Sequence, residues 1–133
     1  MKKMCVIFLA LMAIMPVNAK DKLKVLFIGN SYTGQVKGMI NKFIAASPHK
    51  GSTFEYITPG GCTLVRHLKN EKVVERIKAG KWDYVVLQDQ SLTPGHPQLK
   101  PGFMKASAGL CKIIKESGAK PVFYMTWGRR DGH

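Results

Sequence analysis

Four short apolar runs, each closed by glycine, amide or hydroxyl residues, constrain the fold more than any other feature of the chain. They are KVLFI (24–28), TFEYI (53–57), WDYVVLQ (82–88) and PVFYMTW (121–127). The first and third are apolar almost throughout, as strands covered on both faces are, and the second alternates. Stretches with helical spacing lie between them. Thr33 to Ala46 places Val36, Met39, Ile40, Phe43 and Ile44 on one face. Lys72 to Ala79 carries Val73, Val74 and Ile77 and is closed by Gly80. Phe103 to Glu116 carries Phe103, Met104, Leu110, Ile113 and Ile114. SPHKGS (47–52) and the proline-rich SLTPGHPQLKPG (91–102) read as loops. The order β-α-β-α-β-α-β with short connections predicts an α/β fold, a parallel sheet with helices on both faces.

Sites in open sheets of this kind form beyond the carboxyl ends of the strands. The residues expected there are Gly29-Asn30-Ser31, Pro59-Gly60-Gly61, Gln88-Asp89-Gln90-Ser91 and Thr126-Trp127-Gly128. Small, flexible and amide-bearing groups therefore converge on one edge. A serine that ends the first strand holds its hydroxyl over that edge on a rigid support. A nucleophilic serine needs a base for its proton and donors for an oxyanion. The Ser31 N–H, the Gly61 N–H and the Gln90 side-chain amide are candidate donors. Blander roles stay open: Ser31 as a helix cap, Gly60-Gly61 as a plain turn, and Gln88, Asp89 and Gln90 as ordinary loop residues. Tyr32 is expected to pack at the helix start and Trp127 at the rim of the site.

In their order and spacing, VLFIGNSYT, PGGCTL, WDYVVLQDQS and YMTWG resemble the sequence blocks of the SGNH/GDSL hydrolases, most of all an exported bacterial branch. The resemblance spans nearly all of the chain after residue 19. It implies a three-layer flavodoxin-like parallel sheet, ester or acetyl-ester hydrolysis, and no cofactor or metal. It also implies Ser31 as nucleophile and Ser31, Gly61 and Gln90 as oxyanion-hole donors, with Gly60 the alternative to Gly61. Gln90 stands where most of the superfamily has asparagine, and Asn30 where it has aspartate.

The departure is at the carboxyl end. The family's base is the histidine of an Asp-x-x-His block after a fifth strand. Here four strands are present, the fifth is missing, and the only similar pair is Asp131 and His133, spaced Asp-x-His after the fourth. In the family's strand order 2-1-3-4-5, strand four lies about 10 Å from strand one, against the ~3 Å that proton transfer needs. His67 and His96, at a helix start and in a loop, are expected to be solvated or locally bonded. The expectation is a C-terminally incomplete domain over 20–133 with weak or no esterase activity. A second reading is a non-catalytic exported binding module, in which the exposed fourth strand pairs with a partner.

Residues 1–19 have two lysines, an apolar run from Cys5 to Met15 and VNA before Lys20, the order of a cleaved signal peptide. Export to the periplasm or beyond is the expectation, with no membrane attachment after cleavage. Cys5 lies at the start of the apolar run and not at its end, which argues against a lipoprotein. Removing the leader leaves 19 basic against 8 acidic residues, a formal +11. The lysines are scattered and no basic run is interleaved with aromatics, so a solvated lysine face is expected and nucleic acid is not. The partner expected instead is a small-molecule or glycan ester. Cys62 and Cys111 remain, read as one buried and one loop thiol with pairing left open. No cysteine or histidine spacing suggests zinc.

Overall fold

The computed structural model describes residues 22–126. The leader expected at 1–19, Trp127, Asp131 and His133 lie outside them. The elements are β1 (Lys24–Ile28), α1 (Ser31–Ala45), β2 (Thr53–Ile57), α2 (Leu64–Leu68), α3 (Glu71–Ala79), β3 (Tyr84–Leu87), α4 (Lys100–Glu116) and β4 (Lys120–Phe123). All strand pairs are parallel and the sheet order is β2-β1-β3-β4. This is the α/β arrangement that the strand and helix alternation predicts, in the flavodoxin-like form that the resemblance implies.

The two faces of the sheet are filled differently. Leu26 and Ile28 of β1 and Val85 and Leu87 of β3 point one way, as alternate strand residues do. They form the core with Leu64 of α2, Val73 and Ile77 of α3, and Ala106, Leu110 and Ile114 of α4. Phe27 points the other way and stacks on Tyr56, with ring centroids 4.8 Å apart. Helix α1 lies over this second face, where the Tyr56 hydroxyl donates to Asn41 Oδ1 at 2.8 Å and Lys37 Nζ sits 4.9 Å from the Tyr56 ring. Thr33 is the buried residue of α1, whereas Met39 and Phe43 are exposed. The apolar face expected on α1 thus exists as spacing but is not covered along its length.

Three boundaries depart from expectation. β4 pairs only over Lys120–Phe123, and the ladder ends one bond later, where Tyr124 N–H donates to the Leu87 carbonyl at 2.9 Å. β3 begins at Tyr84 because Trp82 turns into the core, its Nε1–H bonded to the Arg76 carbonyl at 3.0 Å. Helix α2 lies in a stretch where only a helix start at His67 is expected. Thr63 caps it, accepting from Arg66 N–H at 3.3 Å. The twelve lysines from Lys37 to Lys120 are all exposed, the solvated distribution expected of them.

Candidate functional site

The carboxyl edge of the sheet is built around the turn from β1 into α1. Asn30 is the N-cap of α1, in extended conformation, and its Oδ1 accepts from Tyr32 N–H at 3.1 Å. Ser31 is the first residue of the helix and is exposed. The capping role open to Ser31 therefore belongs to Asn30, which leaves the serine hydroxyl at the surface of the edge. Asn30 is itself buried, and its Nδ2 donates to the Cys62 carbonyl at 3.1 Å. A carboxylate has no hydrogen to donate there, which accounts for asparagine where the superfamily has aspartate.

Gln88 fixes the other side of the turn. Its Oε1 accepts from Asn30 N–H at 3.0 Å and from the Thr33 hydroxyl at 2.9 Å. All three residues are buried. Gly29 must be glycine here: a Cβ would stand 2.6 Å from Gln88 Oε1 and 2.7 Å from Thr33 Oγ1. Gln88 Nε2 bonds the Asp89 carbonyl, so the amide of Gln88 joins the Ser31 turn to the residues after β3. Gln88 is a structural acceptor and not the ordinary loop residue its position also allowed.

Asp89 performs a second bracing function. Its Oδ1 accepts from Leu64 N–H at 3.1 Å and from Gln90 N–H at 2.7 Å, which ties the start of α2 to the loop after β3. Its Oδ2 is buried with no partner among the described residues. Burial pushes the carboxyl above its ordinary value of 3.8, opposed by those two backbone N–H bonds and by His67 nearby. The expectation for His67 is corrected. It is 1% exposed, it belongs to α2, and its Nε2 lies 2.8 Å from the Gly29 carbonyl, 38 residues away in sequence. Burial moves its pKa below 6.5, against the opposing effects of the Gly29 carbonyl and Asp89. His96 lies in the exposed loop before α4, as expected of it.

The loop after β2 is open. Gly60 and Gly61 are exposed, and Gly61 has φ +60, a conformation that glycine reaches without strain. Neither the Ser31 N–H nor the Gly61 N–H forms a hydrogen bond among the described residues. Gln90 is half-buried; its Oε1 accepts from Leu92 N–H at 2.8 Å, while its Nε2 has no partner among the described residues. Cys62 is buried beside this loop, Cys111 is half-buried on α4, and both thiols are free. An apolar cleft of about 430 Å³ opens at the ends of β3 and β4, lined by Leu87, Asp89, Ser91, Phe103, Phe123 and Met125 among others. Among the described residues no three His, Cys, Asp or Glu side chains gather as a metal site requires.

Two solved structures share this architecture. One, a protein from Slackia heliotrinireducens described as "a putative SGNH hydrolase", superposes with a TM-score of 0.68 at 26% identity over 82% of this chain. The fold is SGNH-like. The other, a DUF4886 family protein from Bacteroides uniformis, gives a TM-score of 0.63 at 23% identity over 80% of this chain. The chain spans 59% and 51% of the lengths of these two proteins. No family model matches it, and no curated protein does.

In SGNH-like terms the sheet order β2-β1-β3-β4 puts the Ser31 turn between the Gly60-Gly61 loop and the Gln88–Ser91 segment. Among the described residues the Ser31 hydroxyl bonds no imidazole and no carboxylate. His67 is taken up by Gly29, and Asp89 Oδ1 by two backbone donors. Asp131 and His133 are outside the described residues.

Proposed function

We propose that the chain carries the nucleophile and oxyanion-hole half of an exported serine esterase-type hydrolase. The observation that carries this reading is the exposed Ser31 on a turn braced by the buried, hydrogen-bonded Asn30 and Gln88 of an SGNH-like sheet. Ser31 Oγ attacks the ester carbonyl and gives its proton to a base. Charge then gathers on the carbonyl oxygen, where the Ser31 and Gly61 N–H groups and Gln90 Nε2 are the donors. Gly60 N–H replaces Gly61 if the loop register differs by one. Collapse of the tetrahedral intermediate expels the alcohol and leaves an acyl-serine, which water hydrolyses. The cleft beside β3 and β4 offers apolar room for one arm of a small or glycan ester.

Among the described residues no base is bonded to the Ser31 hydroxyl, and a form of the protein without one is expected to be a weak catalyst. A serine triad without its base retains roughly 10³–10⁴-fold over water from the oxyanion hole and binding. The test is release of p-nitrophenolate from p-nitrophenyl acetate by the purified chain and its Ser31→Ala variant. A rate above background that disappears in Ser31→Ala supports the reading. Equal rates in the two proteins reject it.

One observation favours the alternative, an exported binding module. β4 has no strand on its outer side among the described residues, while Phe123 is 50% and Met125 90% exposed. An unpaired apolar edge recruits another strand. Size-exclusion chromatography with light scattering separates the readings: a partner-free monomer at high concentration counts against strand pairing.

A further inference from the structure

The parallel ladder between β1 and β2 leaves one carbonyl without its donor. Leu23 carbonyl accepts from Thr53 N–H at 2.7 Å, and Gly29 N–H donates to the Ile57 carbonyl at 3.0 Å. Continued at the same register, this ladder would bond the Gly29 carbonyl to the N–H of residue 59. Residue 59 is proline and has none. A buried carbonyl left unpaired costs as much as a lost hydrogen bond. The Gly29 carbonyl is instead met by His67 Nε2 at 2.8 Å.

We propose that His67 is a positioning residue for Ser31: it supplies the ladder bond that Pro59 cannot, and so fixes the backbone two residues before the nucleophile. A carbonyl oxygen only accepts, so Nε2 carries the hydrogen. The imidazole is neutral with Nε2–H, held among Asp89, Arg66 and the Gly29 carbonyl. Asp89 acts at one remove, because its Oδ1 caps α2 at Leu64 N–H and so holds the helix that presents the imidazole. Pro59 ends β2 and opens the Gly60-Gly61 loop, and the histidine repairs the ladder at the point where that loop begins. The functional meaning of this bond rests on Ser31 being the nucleophile, but the bond can be tested without activity.

The experiment uses the purified 133-residue chain and reads the hydrogen exchange rate of the Asn30 amide, a buried N–H bonded to Gln88. The variants are His67→Leu, which removes the donor, and His67→Gln, which keeps an amide hydrogen near the place of Nε2–H. Pro59→Ala, alone and with His67→Leu, returns a backbone N–H to the ladder. Exchange at Asn30 should be roughly ten-fold faster in His67→Leu, the loss of one hydrogen bond, and near wild type in His67→Gln. Adding Pro59→Ala should recover most of the loss caused by His67→Leu. Nitrogen-15 spectra of the wild-type imidazole should show hydrogen on Nε2 and a bare Nδ1, which decides the matter even where His67→Leu does not fold. Hydrogen on Nδ1 alone, or equal exchange in His67→Leu and wild type, overturns the proposal. So does equal acceleration in His67→Leu and His67→Gln. Acylation of Ser31 is measured in parallel: its absence beside the expected exchange pattern removes the esterase reading and leaves the role of His67 standing.

Discussion

The turn after β1 and the loop after β2 meet at the same sheet edge and are built in opposite ways. At the first, Asn30, Thr33, Gln88 and His67 are all buried, and their polar atoms bond one another or the backbone. At the second, Pro59, Gly60 and Gly61 are exposed, and the Gly61 N–H has no partner among the described residues. One region holds a side chain still, and the other keeps a backbone donor free. A site that attacks with a hydroxyl and collects charge on an oxyanion needs both, because preorganised donors act without reorganising at the moment of reaction. The Asn30 Nδ2 bond to the Cys62 carbonyl joins the two regions directly.

Substitutions at the glycines break this comparison most sharply. Gly29→Ala would push a methyl group to 2.6 Å from Gln88 Oε1 and 2.7 Å from Thr33 Oγ1, two atoms already bonded to each other. Chemical denaturation should show a loss of about 3 kcal/mol, the upper range for overpacking a fixed site. Gln88→Leu comes next, at about 2 kcal/mol, since it strands the buried Asn30 N–H and Thr33 hydroxyl. Gly61→Ala should lose only about 1 kcal/mol, from the positive φ, because no neighbour stands within 4 Å of its Cβ position. Gly60→Ala has open space and no positive φ, so its melt should match wild type within about 0.5 kcal/mol.

The pH dependence sharpens the same contrast within the buried turn. His67 has a folded pKa below its ordinary 6.5, because burial disfavours the imidazolium. Its contribution is therefore complete above pH 6.5 and is lost as pH falls toward the folded value. Asp89 has a folded pKa above its ordinary 3.8, again through burial. Its contribution has the opposite sign, present below 3.8 and lost as pH rises through the folded value. Between pH about 7.5 and about 5.5, wild type should lose stability that His67→Gln does not lose. The Asp89→Asn variant should remove the dependence at lower pH instead.

The alternation of apolar runs with helical spacing made the sheet readable, because strand and helix periods differ and the connections are short. The Gly29-Asn30-Ser31 turn stands out because it closes the first strand and matches the first block of the resemblance, although a helix-capping duty was equally open to Ser31. Its bracing was not readable. Helix α2 has five residues, too few for a periodic signal, although Thr63 followed by Leu64, His67 and Leu68 holds a cap and an i, i+3, i+4 pattern. The burial of His67 depends on Gly29, 38 residues earlier, and on a ladder broken by Pro59. Gln88 reads as one more amide beside Gln90, and only the fold distinguishes the buried acceptor from the half-buried loop residue. Long-range polar pairing leaves no local trace, whereas apolar periodicity does.

The most direct measurement of the central claim is peptide mass spectrometry after brief exposure of the chain to p-nitrophenyl acetate. Lysines will acetylate nonspecifically, so the diagnostic is a hydroxylamine-labile acetyl ester on the peptide that contains Ser31. The account predicts that ester on Ser31 in wild type, and its loss from that peptide in Ser31→Ala. Acetylation confined to lysines, with Ser31 unmodified, would contradict it.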